Sequence, residues 1–282
     1  FSKYNPDYSY GFYMPVQKSA SANQNGIDFD ESIGGLSVLS NNFNITFGKF
    51  RSSLGPSFYS NLSLSNTIPA FNQLRVNFKY LENIFFTFIM GDLYSGIKDT
   101  SINYYDSNRS AKVNRKLFNH RLDFKVSKNL RFGFYEQIIA LSNSFSFSYI
   151  NPFQMYWSEQ HQQGDTDNLQ MGFDFDFIKG KNRFYGGLLI DEWAPYDTFS
   201  GDKNNDGIDD SRNWFATQIG FSRIFRNNGI YKIEYSRSEP QVYVHDFPIN
   251  HAYHNSYPIG YWAGGDSEEI LMLFFYKLNV NK

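Results

Sequence analysis

Oxygen donors at fixed spacing raise the first chemical question in this chain. In Asp202-Lys203-Asn204-Asn205-Asp206-Gly207-Ile208-Asp209-Asp210, side-chain oxygens fall at positions 1, 3, 5 and 9 of a calcium loop. Ile208 offers a backbone carbonyl at position 7, and Gly207 supplies the sharp turn. Asp202, Asn204, Asp206, Ile208 and Asp210 are therefore the expected calcium ligands. Position 12 is Asn213 rather than a bidentate Glu, so modest affinity is expected. The alternative is an acidic, Asn-rich surface loop without an ion.

Other chemistry is thinner. Three of the five histidines are His245, His251 and His254, a spacing that zinc tolerates. No carboxylate or helical context completes such a site, and a Pro- and Tyr-rich loop is the simpler reading. His120 and His161 stand alone and read as lumen or loop residues. Asp174, Asp176, Asp191 and Glu192 could serve a glycosidase, but carboxylates lining a wet lumen are commoner. No G-x-S-x-G elbow is present. The expectation is a protein without catalysis.

Aromatic residues are the better candidates. Tyr156 and Trp157 lie near Asp165, Asp167 and Asn168, and Tyr261 and Trp262 lie near Asp266. Flat rings beside carboxylates and amides suit sugars, whose hydroxyls both donate and accept. The competing reading is an aromatic girdle at lipid headgroups. Trp193 and Trp214, at strand ends, fit the girdle better.

Strands must position these groups. Leu169, Met171, Phe173, Phe175 and Phe177 alternate with Gln170, Gly172, Asp174 and Asp176, a period of two. The same one-sided pattern runs through Leu74–Tyr80 and Phe118–Val126. Strands are expected at about 8–17, 29–39, 43–51, 73–81, 84–94, 117–126, 129–141, 168–178, 183–193, 214–225, 229–237 and 268–279. Short polar turns alternate with long links throughout, as in an up-and-down antiparallel transmembrane β-barrel with tight periplasmic turns and long extracellular loops. The apolar side should meet lipid, and the charged side should line the lumen. About twelve strands in one domain are expected, an even number.

Composition agrees. Aromatics make up 20% of 282 residues, and cysteine is absent, which excludes disulfides and thiolate metal sites. A net charge of -2 gives no electrostatic case for nucleic acid. No stretch approaches the roughly 20 apolar residues of a membrane helix. A mean hydropathy of -0.49 is no objection to a barrel, whose wall is apolar only at alternate positions.

Phe47-Gly48-Lys49, Leu54-Gly55-Pro56 and Leu62-Ser63-Leu64-Ser65-Asn66 resemble a region of the Wzi-type capsule assembly proteins. Tyr149-Ile150-Asn151-Pro152-Phe153, Gly164-Asp165-Thr166-Asp167-Asn168 and Tyr185-Gly186-Gly187-Leu188-Leu189-Ile190-Asp191-Glu192 continue the likeness in order. His251-Ala252-Tyr253-His254 and Pro258-Ile259-Gly260 extend it. The resemblance implies a bacterial outer-membrane barrel, loops facing outward, that binds surface capsular or exopolysaccharide as a lectin. A gliding-associated branch makes surface adhesion a sibling role. The family's partly helical N-terminal region and its last strands have no counterpart here, which implies a larger barrel in the intact protein. The resemblance does not supply the calcium loop. The competing function is a porin for small solutes.

Overall fold

The computed structural model describes residues 16–18, 27–29, 32–99, 112–141, 148–164, 166–193, 213–225 and 229–277. Val16–Lys18 (β1) and Ile27–Phe29 (β2) pair in a small separate sheet. An 11-stranded antiparallel sheet follows. Its strands are β3 (Gly34–Leu39), β4 (Phe43–Phe50), β5 (Phe71–Leu81), β6 (Ile84–Lys98), β7 (Lys112–Lys125), β8 (Leu130–Leu141), β9 (Asn168–Lys179) and β10 (Asn182–Trp193). β11 (Asn213–Phe225), β12 (Gly229–Ser238) and, after a two-residue hairpin of β13 (Tyr253–His254) and β14 (Tyr257–Pro258), β15 (Ser267–Tyr276) complete it. Every strand pairs with its neighbours in chain order, β15 following β12. The expected strand at 8–17 falls mostly outside the described residues, and its last residues join β2 rather than the large sheet.

Short and long connections alternate as the sequence pattern requires. Turns such as Gly180-Lys181 close one rim, and all the long links leave the other, which the barrel rule makes the outer rim.

Register sorts the two faces. Phe78 pairs with Phe86, Phe86 with Leu122, Leu122 with Phe134, and Phe134 with Phe173, an unbroken apolar row across five strands. Residues beside this row point the other way, among them Thr87, Arg121, Tyr135 and Gly172. On the apolar side Leu36 is 80% exposed and Met272 69%. A sheet face this apolar needs hydrocarbon against it. Within the apolar band this face carries the covered His120–Glu136 pair, and near the outer rim Asp92 pairs with Lys116 and Tyr235 donates to Glu268. One basic residue at mid-bilayer would cost about 2–4 kcal/mol, so this charged row marks the upper edge of the lipid zone.

The opposite face is not empty. Links 51–70 and 239–266 fold back against it and share one core, with Leu54, Leu62, Leu64 and Ile68 from the first link and Val242, Tyr243, Ile259 and Tyr261 from the second. Wall residues Leu117, Ile139, Leu189 and Ala216 complete it. The third long connection behaves differently. Its described part, residues 148–164 with a helix at Tyr156–Gln163 (α1), lies on the apolar side, where Tyr149 and Tyr156 pack with Phe88, Phe118 and Ile138.

Candidate functional site

The inner wall carries a belt of amides that grips link 51–70 by its backbone. Gln137 donates to the Ser63 carbonyl at 3.1 Å and to Gln170 Oε1 at 2.6 Å, and its own Oε1 accepts from Ser63 Oγ and Asn119 Nδ2. Gln218 Nε2 reaches the Ser60 carbonyl at 2.9 Å and Glu234 at 3.1 Å. Glu234 accepts from Ser57 Oγ and from the Tyr185 hydroxyl, both at 2.7 Å. Gln73 holds Ser52 through a 2.6 Å bond. Neutral amides both donate and accept, so they satisfy a loop backbone without placing charge in the lumen.

Link 239–266 sits above the first link and is bound to it. The Tyr243 hydroxyl donates to the Leu62 carbonyl at 2.7 Å and accepts from the Tyr261 N–H at 2.9 Å. The Tyr243 N–H donates to Asp191, and Tyr243 has a left-handed φ of 67°. Arg115 is buried, and its guanidinium donates to the carbonyls of Ile249, His251 and Tyr253. One strand residue thus fixes the path of the outer link. His254 is buried too, with Nδ1 accepting from the Tyr94 N–H at 3.1 Å and its ring against Tyr94 and Phe71. Burial, reinforced by the positive charges of Arg115 and Lys49, lowers the His254 pKa to about 3.

Beneath the plug, toward the short-turn rim, ions interlock. Arg121 bridges Asp174 and Asp123, and Asp176 takes Arg183 and Arg131. Room for Arg121 comes from Gly133, where any Cβ would lie 1.9 Å from Nη2. Gly220 makes the same allowance for the Tyr185 ring. The carboxylates considered for hydrolysis are therefore committed: Asp174 and Asp176 to arginines, Asp191 to the Tyr243 N–H. The Glu192 side chain lies outside the described residues.

At the outer surface, link 239–266 shows exposed Asp246 and Phe247, with His245 and His251 half-buried beside them. The His245 ring stands 5.6 Å from that of Phe247 and the His251 ring 6.1 Å from that of Tyr253. Burial lowers both histidine pKa values, His245 against the pull of Asp246. His254 lies deep in the plug, so the three histidines do not converge. Among the described residues no group of three His, Asp or Glu could hold a metal ion.

The expected sugar-binding residues divide. Tyr156 is fully buried on the lipid side, its ring stacked 4.2 Å from that of His120. Trp157, on the same helix, is 50% exposed and has His161 at 4.6 Å. Asp167 is buried and accepts from Tyr149 at 2.9 Å; burial raises its pKa against that bond. Asn168 is buried at the start of β9. Tyr261 is buried in the plug, while the half-buried Trp262 donates through its indole N–H to Glu269 at 3.0 Å. Tyr156, Asp167, Asn168 and Tyr261 are buried, and the Tyr156 and Tyr261 groups stand on opposite sides of the wall. Asp165 lies outside the described residues, as do all five expected calcium ligands. His120 is corrected as well: it faces outward, two residues from Phe118 and Leu122 on the apolar row. Trp214 packs against the plug core rather than joining a girdle, and Trp193 is exposed at the outer end of β10.

Sequence reasoning missed Arg115, the amide belt and the pairing of His120 with Glu136. Parity alone would have found the first, since Arg115 is in step with Leu117, Asn119 and Arg121.

The family model described as capsule assembly protein Wzi matches residues 1–282. A solved structure of Wzi, an Escherichia coli outer-membrane protein involved in group 1 capsule assembly and described as a carbohydrate-binding β-barrel, aligns at a TM-score of 0.57 with 14% identity. The alignment covers 92% of this chain and 58% of that one, so the chain spans less than two thirds of its relative. OmpT of Vibrio cholerae, an outer-membrane protein, aligns at a TM-score of 0.38 with 12% identity over 81% of this chain and 65% of its own. No curated protein matches.

Proposed function

The chain belongs to the Wzi family of capsule assembly proteins and is an outer-membrane β-barrel, and from that premise we propose that it holds surface polysaccharide at its outer mouth without chemistry. The observation that carries this reading is the filled inner face. Two links occupy the lumen side of the wall, their backbones gripped by Gln137, Gln218 and Arg115. A porin needs that space open, and a hydrolase needs uncommitted carboxylates within it.

The contacting surface in this reading is the outer face of link 239–266. Phe247 offers an open ring, Asp246 accepts from hydroxyls, and the half-buried Trp262 and the exposed Trp157 supply further indole faces. Tyr156, Asp167, Asn168 and Tyr261 support these positions from beneath. Each sugar would be held weakly, and retention would come from many repeats of the polymer engaging many copies. Binding of purified surface polysaccharide to whole cells tests this. Phe247→Ala with Trp262→Ala should cut retention several-fold, and Trp157→Ala should act separately. Unchanged retention in all of them overturns the site.

Calcium at loop 202–210 is proposed on donor spacing alone. Calorimetric titration should detect one weak site, lost in Asp202→Asn with Asp206→Asn.

A further inference from the structure

We propose that the lipid-facing wall over β5 to β9 carries a roofed groove that holds one acyl chain of a phospholipid from the periplasmic leaflet. This inference rests on the chain being a membrane barrel and not on the polysaccharide reading. The groove measures about 730 Å³, within the range of ligand-sized sites. Phe78, Phe86, Leu122, Phe134 and Phe173 form its floor. They belong to the cross-strand row already identified as facing hydrocarbon, so the groove is continuous with the bilayer contact surface.

What separates it from the plain barrel wall is its roof. Residues 148–157 descend from the outer rim along the outside of the sheet, and Phe153 lies over Phe86 with ring centroids 5.5 Å apart and planes at 19°. Met155 stands beside it, and Phe153 is 82% exposed on its far side. A chain beneath this roof gains dispersion contacts on more faces than a lipid lying on a bare wall.

The upper end is closed. His120 Nε2 and Glu136 Oε2 stand 2.9 Å apart on the outward face, two rows below the Asp92–Lys116 pair. The Tyr156 N–H donates to the same Glu136 oxygen at 2.9 Å, and its ring covers the imidazole. A polar pair this deep in the apolar band needs such a cover, because lipid cannot satisfy it. The groove therefore runs downward, past Ile84 and Tyr80 toward the short-turn rim. At that rim the β7–β8 turn carries exposed Lys128, and the β5–β6 turn carries the Lys79–Glu82 ion pair, which leaves a net positive charge at headgroup level. The direction and the charge together select a phospholipid entering from below.

The test uses the full protein purified in mild detergent, exhaustively delipidated and titrated with phosphatidylethanolamine under native mass spectrometry. One lipid per chain should survive at collision energies that strip the rest. Leu122→Trp fills the groove and should weaken this binding at least tenfold. Ile270→Trp, on exposed wall away from the groove, should leave it unchanged. Should Leu122→Trp fail to fold, the double variant Phe153→Ala, Met155→Ala removes the roof and should give the same loss. The proposal is overturned by a wild type that retains no lipid, by equal retention in Leu122→Trp and Ile270→Trp, or by lipopolysaccharide retained in preference to phosphatidylethanolamine.

Discussion

Link 239–266 and segment 148–164 leave the same rim and settle on opposite sides of one wall. The inner link is held through its backbone: Arg115 takes three carbonyls, Asp191 takes an N–H, and Tyr243 ties it to the link below. The outer segment is held through rings, with Phe153 on Phe86 and Tyr156 on His120. Its backbone is largely self-sufficient, because α1 satisfies its own groups and Gly164, at φ 92°, closes the C-terminus onto the Gln160 carbonyl. The N-terminus of α1 lacks a side-chain cap of its own, and Glu136 from the wall takes the Tyr156 N–H instead. The difference follows from solvent. Against a polar wall an irregular loop can borrow partners, whereas against hydrocarbon it must bring them.

The sharpest break would come from the ion network under the plug. Arg121→Ala strands Asp174 and Asp123 and should cost about 3–5 kcal/mol in urea unfolding of the detergent-solubilised protein. A loss below about 1 kcal/mol would mean that water already screens the pair. Arg115→Ala is of similar size. Three carbonyls lose a charged donor, each worth about 1–2 kcal/mol, and hydrogen exchange should rise across 242–262 while 148–164 stays protected. Glu136→Ala reverses that pattern. It should cost about 1–3 kcal/mol and loosen 148–164 alone; equal loosening of both regions would refute their independence.

A separate effect is on pH. His254 binds its proton more weakly folded than unfolded, so its contribution to stability is complete above about pH 6.5 and is lost as pH falls toward about 3. The loss is at most about 1.4 kcal/mol per pH unit over that window. Thermal unfolding between pH 7 and 4 should show it, and His254→Asn should flatten the slope. Protection factors across 148–164, corrected for the intrinsic pH dependence of exchange, should stay the same at both ends of the range.

Much of the wall was legible in the sequence because a barrel strand has two solvents and a period of two. Phe173 beside Asp174 states which side each must face. Turn and link lengths gave the rims for the same reason. The fillings were harder to read. Gln137, Gln170 and Gln218 look like ordinary lumen residues, and nothing local says that they hold a loop distant in sequence. Tyr156 and Tyr261 carried the right chemistry for sugar, but burial depends on which way a long link folds, and alternation is silent on that. His120 was legible and misassigned: its parity with Phe118 and Leu122 places it outward, and the oddity of a histidine there pointed to a cover.

Conductance of the intact protein in planar bilayers tests the filled barrel most directly. The wild type should stay closed at low voltage, and Arg115→Ala should add discrete openings as link 239–266 loses its hold. A steady ohmic current through the wild type would contradict the account, because it requires a passage where Gln137, Gln218 and Arg115 are said to hold the plug.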